Sequence, residues 1–352
     1  MPKSKVRKIN YGEALAEGLV QSMDKDKSVI VMGQSAEEVK GGMFGTLKPA
    51  LDKYGDSRMF EMPLSEGGIT GWGTGAALMG LKPVMTHHRN DFLLLALDQI
   101  ANHAAKWMYM HRRPVPWTIR TIIGRGWGQG PQHAQSLQAI FAYFPGLKVV
   151  MPSTAYDAKG LLISAIEDPN PVIFIEHRRL FGQVGNVPKN YYKVPIGKAN
   201  MVRKGKDATV AVISQMRLEA ELAAEALEKI GISLEIVDLR TIRPLDKKTI
   251  LKSVEKTGRL IVCDTGWVQF GVSAEIAAVV SDEAYESLKA PIKRIGMPAC
   301  PTPASYALEN VFYPGVKDVI KAVTDILPKE KVSQIKKYAT THKEMTEFIG
   351  IF

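Results

Sequence analysis

The sequence predicts an α/β fold built from two domains, and three features predict it. Short β-branched runs recur through the first half, with helical patterns between them. The same alternation starts again after residue 207. Strand, helix and strand in turn are typical of a parallel sheet with helices on both faces. The chain has 352 residues, 45% of them hydrophobic, which is enough for about two such domains.

The first domain is predicted to span residues 1–185. Its strands are short runs rich in Val, Ile and Thr, predicted at 28–33, 82–87, 117–123, 147–153 and 171–177. Helical patterns separate them, at 76–81, 93–110 and 155–168. We expect these strands to form one parallel sheet.

A linker is predicted at 186–206, where Gly, Pro, Asn, Lys and Tyr follow each other without a sustained period. The pattern then resumes in a second, smaller domain, predicted at 207–330. Its strands are predicted at 208–214, 234–241, 259–266 and 290–296, and its helices at 218–230, 274–288 and 316–327. The remaining residues, 331–352, are predicted to be an exposed helix or tail.

The composition excludes several classes of protein. The net charge of +10 is concentrated near the two ends, and no helix-turn-helix, zinc or RNP signature accompanies it, so nucleic-acid binding is not expected. No apolar segment reaches the roughly 20 residues of a membrane span, and the basic N-terminus lacks the apolar stretch of a secretory signal. Two cysteines, Cys263 and Cys300, are too few for a disulfide framework. We expect a cytoplasmic protein without a membrane partner.

The first candidate for chemistry is Glu66, which five glycines follow within ten residues. Glycines let the backbone approach a ligand closely, and a carboxylate at the end of a strand lies where a ligand crevice opens. The alternative is a tight strand-to-helix turn in which Glu66 only caps the helix. The pattern matches neither GxGxxG nor a P-loop.

The second candidate is His133, which ends a glycine-rich loop directly after the predicted strand 117–123. Loops at the carboxyl ends of parallel strands border the ligand crevice, so His133 is placed to act there. The alternative is a structural histidine. His87 and His88 are neighbours on one predicted strand, so their side chains should face opposite sides and not share a metal. Residues 176–179 are expected to be a strand end with solvated charges.

Several motifs together resemble a known family: SEGGITGWGTGAALMGLKPV, ALDQIANHAAKWMYM, GPQHAQS, IVDLRTIRPLD and GWVQFGVSAEI. They are similar, over roughly residues 8–328, to the β subunit of the thiamine-diphosphate-dependent 2-oxoacid dehydrogenase E1 component. The resemblance implies a transketolase-like pyrimidine-binding domain followed by a transketolase C-terminal-type domain. It also implies decarboxylation of a 2-oxoacid and transfer of the acyl group to the lipoyl group of an E2 partner.

The resemblance also implies roles for single residues. Glu66 matches the glutamate that hydrogen bonds N1′ of the cofactor's aminopyrimidine and so activates the cofactor. His133 matches the histidine on the acyl-acceptor side, which we expect to transfer protons. Phe92 and Leu64 match the aromatic and aliphatic residues that lie against the pyrimidine ring.

Two metal sites are implied in the same way. Trp117 and the turn that contains Ala165, Ile166, Asp168 and Asn170 resemble a structural potassium site made of carbonyl oxygens, with an ordinary helix-ending turn as the alternative. In the superfamily that contains this family, a GDG motif binds Mg²⁺ and the diphosphate. No GDG motif occurs in the 352 residues. The resemblance therefore implies that an α subunit supplies this half of the site, in an α2β2 heterotetramer whose free β chain is inert.

The chain departs from the family at His87, His88 and Arg89, where an aromatic-rich stretch is usual. Imidazole and guanidinium groups beside the substrate would suit a polar, phosphorylated or sugar-like molecule. The alternative function is therefore a two-subunit transketolase-like enzyme that transfers a ketol or acyl unit to a small-molecule or sugar acceptor. In the simpler interpretation these residues only contact the α subunit. A scaffold that has lost its chemistry is a third hypothesis, against which the presence of Glu66 and His133 argues.

Overall fold

The computed structural model describes residues 6–37, 42–125, 128–333 and 335. The chain divides into two compact units, Met1–Gly197 with Thr241–Pro244, and Lys198–Arg240 with Leu245–Phe352. Both are α/β units, which confirms the predicted fold class. Among the described residues, no helix has the length and apolar character that crossing a membrane requires.

The strands are numbered along the chain. They are β1 (Val6–Asn10), β2 (Val29–Gly33), β3 (Met59–Glu61), β4 (Lys82–His87), β5 (Thr118–Ile123), β6 (Lys148–Val150), β7 (Val172–His177), β8 (Val184–Pro188), β9 (Asn200–Arg203), β10 (Ala208–Val212), β11 (Leu234–Asp238), β12 (Thr241–Arg243), β13 (Leu260–Trp267) and β14 (Lys293–Met297). The α-helices are α1 (Tyr11–Lys25), α2 (Lys48–Tyr54), α3 (Glu66–Leu78), α4 (Ala105–His111), α5 (Gln138–Tyr143), α6 (Ala155–Glu167), α7 (Met216–Glu228), α8 (Lys247–Thr257), α9 (Val272–Glu283), α10 (Tyr306–Phe312) and α11 (Val316–Ile326).

The first unit is built on a seven-stranded sheet in the order β12-β6-β7-β5-β4-β2-β3. All neighbours in it are parallel except β12, which runs antiparallel to β6. Strands β2, β5 and β7 are buried along their whole length, as expected of a parallel sheet covered on both faces. The carboxyl ends of β2, β3, β4, β5 and β7 therefore lie along one edge of the sheet, which we call the carboxyl edge.

The second unit contains a five-stranded sheet in the order β14-β13-β10-β11-β9. Its core is aliphatic and includes Val210, Leu227, Ile236, Val319 and Val323. Strand β9 lies inside the segment 186–206 that the composition predicts as a linker, and it pairs antiparallel with β11 at the edge of this sheet. Of the predicted tail, 331–352, only 331–333 and 335 are among the described residues.

Helix α3 begins ten residues before the helix predicted at 76–81. The glycines lie within this helix. At Gly73 a side chain would prevent close packing on the sheet, because a Cβ there would lie 2.7 Å from Met85 Cε and 3.2 Å from Trp117 Nε1. The region predicted as one helix at 93–110 consists of three helical segments. It contains a 3-10 segment (Asn90–Ala96), a π-helical segment (Gln99–Ala104) and α4.

Candidate active site

The residues predicted to act on the cofactor and the substrate lie at the carboxyl edge of the first sheet. Leu64 and Glu66 follow β3, the segment 88–92 follows β4, and the described part of the loop that ends at His133 follows β5. Because parallel strands end on the same side of a sheet, residues far apart in sequence become neighbours there. The edge therefore has the position expected of a ligand site.

Glu66 is the first residue of α3 and is half-buried. Its Oε1 accepts a hydrogen bond of 3.0 Å from Nε2 of Gln34, and among the described residues its Oε2 has no hydrogen-bond partner. A carboxylate in the first turn of a helix is favoured by the helix dipole. Ser65, and not Glu66, occupies the N-cap position. The carboxylate is thus fixed on one side and open on the other.

Gln34 is a further residue of this site, and no sequence motif marks it. It follows β2 directly, and its backbone N–H and carbonyl oxygen bond to the O and Oγ1 atoms of Thr86 on β4, each at 3.3 Å. Its carbonyl oxygen also accepts a hydrogen bond of 3.1 Å from Nε2 of His88. The only signal in the sequence is its place at the carboxyl end of a buried strand.

Phe92 and His133 are in contact across the edge. Their rings are perpendicular, with centroids 5.2 Å apart, and both residues are half-buried. A second contact connects the segment of Phe92 to the segment of His133. In it, Asp91 Oδ1 accepts hydrogen bonds from N and Nε2 of Gln135, at 3.2 and 2.8 Å. Leu64, by contrast, is 83% exposed in this chain.

His87 and His88 have different surroundings, as expected of neighbours on a strand. His87 is fully buried, and its Nε2 lies 3.4 Å from Oγ1 of Thr70 on α3. Burial lowers the pKa of His87 to about 4, so its ring is neutral at pH 7. His87 is therefore a packing residue beneath α3, whereas His88 and Arg89 are half-buried at the edge.

The expectation of solvated charges at 176–179 is wrong for Glu176 and His177. Both are buried, because β7 continues through His177 and pairs with β5 up to that residue. Glu176 accepts hydrogen bonds from Nε and Nη2 of Arg120, at 2.6 and 3.1 Å, and Arg120 also donates to Oγ1 of Thr46. Two opposite charges thus compensate each other inside the sheet.

The turn after α6 has oxygen atoms suited to a monovalent cation. The carbonyl oxygens of Trp117 and Ala165 each accept one backbone hydrogen bond, from Val172 and Asp168, and a carbonyl has a second lone pair available. Asn170 Oδ1 is buried without a hydrogen-bond partner in the described part of the chain. The carboxylate of Asp168 is already bonded to Lys148 and to the Asn170 N–H. Ile166 lies in the last turn of α6.

Two domain families match the sequence. The transketolase pyrimidine-binding domain matches residues 7–183, and the transketolase C-terminal domain matches residues 197–319. The chain is 42% identical over 322 residues to "Pyruvate dehydrogenase E1 component subunit beta-1, mitochondrial" of Oryza sativa subsp. japonica, covering 90% of this chain and 86% of that one. The chain belongs to the transketolase-like family of thiamine-diphosphate-dependent 2-oxoacid dehydrogenases.

Other members of the family have a similar sequence identity to this chain. The acetoin:2,6-dichlorophenolindophenol oxidoreductase subunit beta of Cupriavidus necator is 41% identical, over 90% of this chain and 96% of its own. The pyruvate dehydrogenase E1 component subunit beta of Bacillus subtilis is 40% identical, over 90% and 97%. A solved split-gene transketolase, an inactive beta4 tetramer, has the same fold, with a TM-score of 0.74 at 21% identity over 91% of this chain and 98% of its own. The predicted family is therefore confirmed.

Proposed function

We propose that this chain is the β subunit of a thiamine-diphosphate-dependent E1-type enzyme, which decarboxylates a 2-oxoacid and transfers the acyl group to the lipoyl group of an E2 partner. One observation carries the proposal. Within the pyrimidine-binding domain, the half-buried carboxylate of Glu66 has one oxygen held by Gln34 and the other without a partner among the described residues.

The open oxygen fits an aminopyrimidine. Glu66 Oε2 would hydrogen bond N1′ of the cofactor and share a proton with it, while Gln34 keeps the carboxylate in place. Phe92 and Leu64 would lie against the pyrimidine ring, and burying the exposed Leu64 side chain would favour binding. When bound, thiamine diphosphate supplies the carbon nucleophile and the electron sink for decarboxylation.

His133 is proposed to move protons at the acyl-acceptor side. Its edge-to-face contact with Phe92 holds the imidazole ring beside the proposed pyrimidine pocket. A neutral imidazole carries both a donor and an acceptor nitrogen, so one ring can accept a proton from an attacking group and return it later.

An α subunit is proposed to complete the site in an α2β2 heterotetramer. The GDG motif is missing from this sequence, so the α subunit would hold Mg²⁺ and the diphosphate. Such a partner would cover large apolar side chains that are exposed on α3 and beside its two ends, on the 3-10 segment after β4 and on α4: Leu64, Trp72, Met79, Leu95 and Tyr109. A cytoplasmic location is part of the same proposal.

A structural potassium ion is proposed at the turn after α6. Oxygen atoms of Trp117, Ala165, Ile166, Asp168 and Asn170 would bind it. The buried Asn170 Oδ1, which has no hydrogen-bond partner among the described residues, favours a cation nearby. Melting the protein in KCl against NaCl tests this. A higher melting temperature in KCl is expected for the wild type, and the same temperature in both salts would contradict the site.

A second candidate is the two-subunit transketolase-like enzyme with a small-molecule or sugar acceptor. It is favoured by the half-buried His88 and Arg89 at the carboxyl edge, since Arg89 forms no ion pair in the part of the chain that the structure describes. A polar group of a small molecule would match this surface better than the apolar lipoyl chain.

Co-expression with the α-type partner tests both candidates. The complex is assayed for thiamine-diphosphate-dependent decarboxylation of a panel of 2-oxoacids, with a lipoyl domain or with small aldehydes as the acceptor. Decarboxylation with lipoyl acylation is expected. Decarboxylation with transfer only to an aldehyde would select the transketolase-like enzyme, and no cofactor-dependent reaction would contradict both.

A further inference from the structure

The segment that follows His133 depends on outside partners for its backbone. Residues 135–137 belong to no helix or strand, and Ser136 and Leu137 within them are buried. Buried backbone N–H groups are nearly always hydrogen bonded, and an irregular segment must find its acceptors elsewhere in the chain. These acceptors therefore decide where the segment lies.

Two adjacent side chains on the 3-10 segment after β4 provide acceptors. Oδ1 of Asn90 accepts a hydrogen bond of 3.0 Å from the backbone N of Leu137. Oδ1 of Asp91 accepts one of 3.2 Å from the backbone N of Gln135, and a second of 2.8 Å from Nε2 of the same residue. Gln135 is thus bound to Asp91 through both its backbone and its side chain.

Asp91 is an unusual residue for this purpose. Only 7% of it is exposed, its carboxylate forms no ion pair in the described part of the chain, and its Oδ2 is buried there without a hydrogen-bond partner. Burying a carboxylate that only neutral groups compensate costs stability. A charged acceptor binds N–H groups about twice as strongly as a neutral one, so the same carboxylate holds its partner firmly. Proteins typically keep such a costly arrangement where function requires it.

The His133 ring has little else to fix its position. No hydrogen bond to its ring nitrogens occurs in the part of the chain that the structure describes, and the ring packs edge-to-face on Phe92 with centroids 5.2 Å apart. Asp91 directly precedes Phe92, and Gln135 lies two residues after His133. The hydrogen bonds and the ring contact therefore join the same two segments. A displacement of about 1 Å in a reacting group can cost about 10²-fold in rate.

We propose that Asp91 is a positioning residue: its hydrogen bonds to Gln135 hold the His133 imidazole in place. The imidazole thereby keeps its contact with Phe92, and Asn90 acts as the second tether of the same segment. The effect of Asp91 on the reaction rests on the proposed function, in which His133 serves acyl transfer. Its effect on the position of the ring does not, and the two effects are measured separately.

The position of the ring is measured by NMR on the full chain labelled with carbon-13 at the histidine Cε1 atoms. Phe92 shifts the His133 signal through its ring current, and the signal is identified by its absence in His133→Gln. We expect Asp91→Ala to move this signal toward its position in Phe92→Leu. Asp91→Asn should move it less, since an amide oxygen still accepts both bonds from Gln135. Asp56→Ala is the matched control, because Asp56 is exposed before β3, and should leave the signal unchanged.

Circular dichroism shows whether each variant is folded. If Asp91→Ala is not, Gln135→Ala replaces it, because Gln135 is half-buried and the change removes only the Nε2 bond to Asp91. Gln135→Ala should move the His133 signal in the same direction by a smaller amount. A His133 signal that stays at its wild-type position in the folded variant would overturn the proposal.

The assembled complex shows whether this position serves the reaction. At saturating cofactor, Asp91→Ala should lower acyl transfer about tenfold and leave decarboxylation with an artificial electron acceptor within about twofold of the wild type. The double variant Asp91→Ala with His133→Ala should transfer no more slowly than His133→Ala alone, because Asp91 is proposed to act only through His133. Losses that multiply in the double variant, or equal losses in the two assays, would overturn the positioning role.

Failure of the proposed function has a different signature. If the wild-type complex shows no cofactor-dependent decarboxylation, while Asp91→Ala still displaces the His133 signal, only the proposed function is contradicted. The same displacement with unchanged acyl transfer in His133→Ala contradicts the role of His133 in transfer, and the placement of its ring by Asp91 stands.

Discussion

The carboxyl edge of the first sheet and the layer directly beneath it contain the same residue types in opposite states. At the edge, Glu66 and Arg89 are half-buried and bonded to neutral groups, with bonding capacity left over. Beneath it, Glu176 and Arg120 are 0% exposed and bonded to each other. A glutamate or an arginine therefore does not mark a site by itself. What marks it is a partly buried position whose hydrogen bonds are incomplete.

The adjacent histidines show the same difference within one strand end. His87 lies in the buried layer and packs under α3, while His88 bonds to the backbone of Gln34 at the edge. Substitutions in the two layers should therefore affect different properties. Substitutions at the carboxyl edge should change activity without changing stability. Substitutions in the layer beneath the edge should change stability.

The largest effect is expected from Glu66→Gln in the assembled complex. Without the carboxylate the proposed proton sharing with the cofactor is lost, and turnover should fall about 10³-fold, within the range for acid–base groups. The free energy of unfolding should change by less than about 0.5 kcal/mol. Asp56→Asn makes the same charge change at an exposed position before β3 and should leave both values unchanged. Turnover close to that of the wild type would remove Glu66 from its proposed role.

Glu176→Gln should destabilise the chain by about 3–5 kcal/mol, because it leaves the Arg120 charge buried and uncompensated. Urea unfolding measures the change. The double variant Arg120→Met with Glu176→Leu should recover most of it, since removing both charges leaves neither to desolvate. If the double variant is as unstable as the single one, the loss does not come from an unpaired charge.

His133→Ala should lower acyl transfer about 10²-fold while sparing decarboxylation measured with an artificial electron acceptor. The reason is that His133 is proposed to serve the acceptor step alone. Both assays are run on the same assembled complex. Equal losses in the two would contradict this division of roles.

The smallest effect is a pH dependence that comes from His87. Its pKa is about 4 in the folded chain against 6.5 as the ordinary value, so between these pH values the unfolded chain binds a proton that the folded chain does not. Its contribution should therefore lower stability as the pH falls from 6.5 to 4, by about 2 kcal/mol at pH 5. Urea unfolding at pH 8 and pH 5 measures it, and His87→Gln should reduce the difference. An unchanged difference would show that His87 is not the group responsible.

The buried strands could be predicted closely from the sequence. The pattern predicts β4 at 82–87 and β2 at 28–33, because strands of a covered parallel sheet are almost continuous apolar runs. The start of α3 could not be predicted, since five glycines within ten residues oppose a helix locally. Packing of Gly73 on Trp117 outweighs that preference.

The site was predictable only in part. The places of Glu66 and His133 followed from strand ends and from the family resemblance, but Gln34 belongs to no pattern. Its importance lies in its contact with Glu66, which only the sheet order brings about. Alternation along β4 likewise separated His87 from His88 without showing which of them is buried.

The most direct test of the proposed role of Glu66 is the exchange rate of the thiazolium C2 proton of thiamine diphosphate bound to the assembled complex. Quenched exchange in deuterated water, followed by proton NMR, compares the wild type with Glu66→Gln and Asp56→Asn. We predict fast exchange in the wild type and in Asp56→Asn, and exchange slowed by about 10²-fold or more in Glu66→Gln. Fast exchange in Glu66→Gln with the cofactor bound would contradict the account.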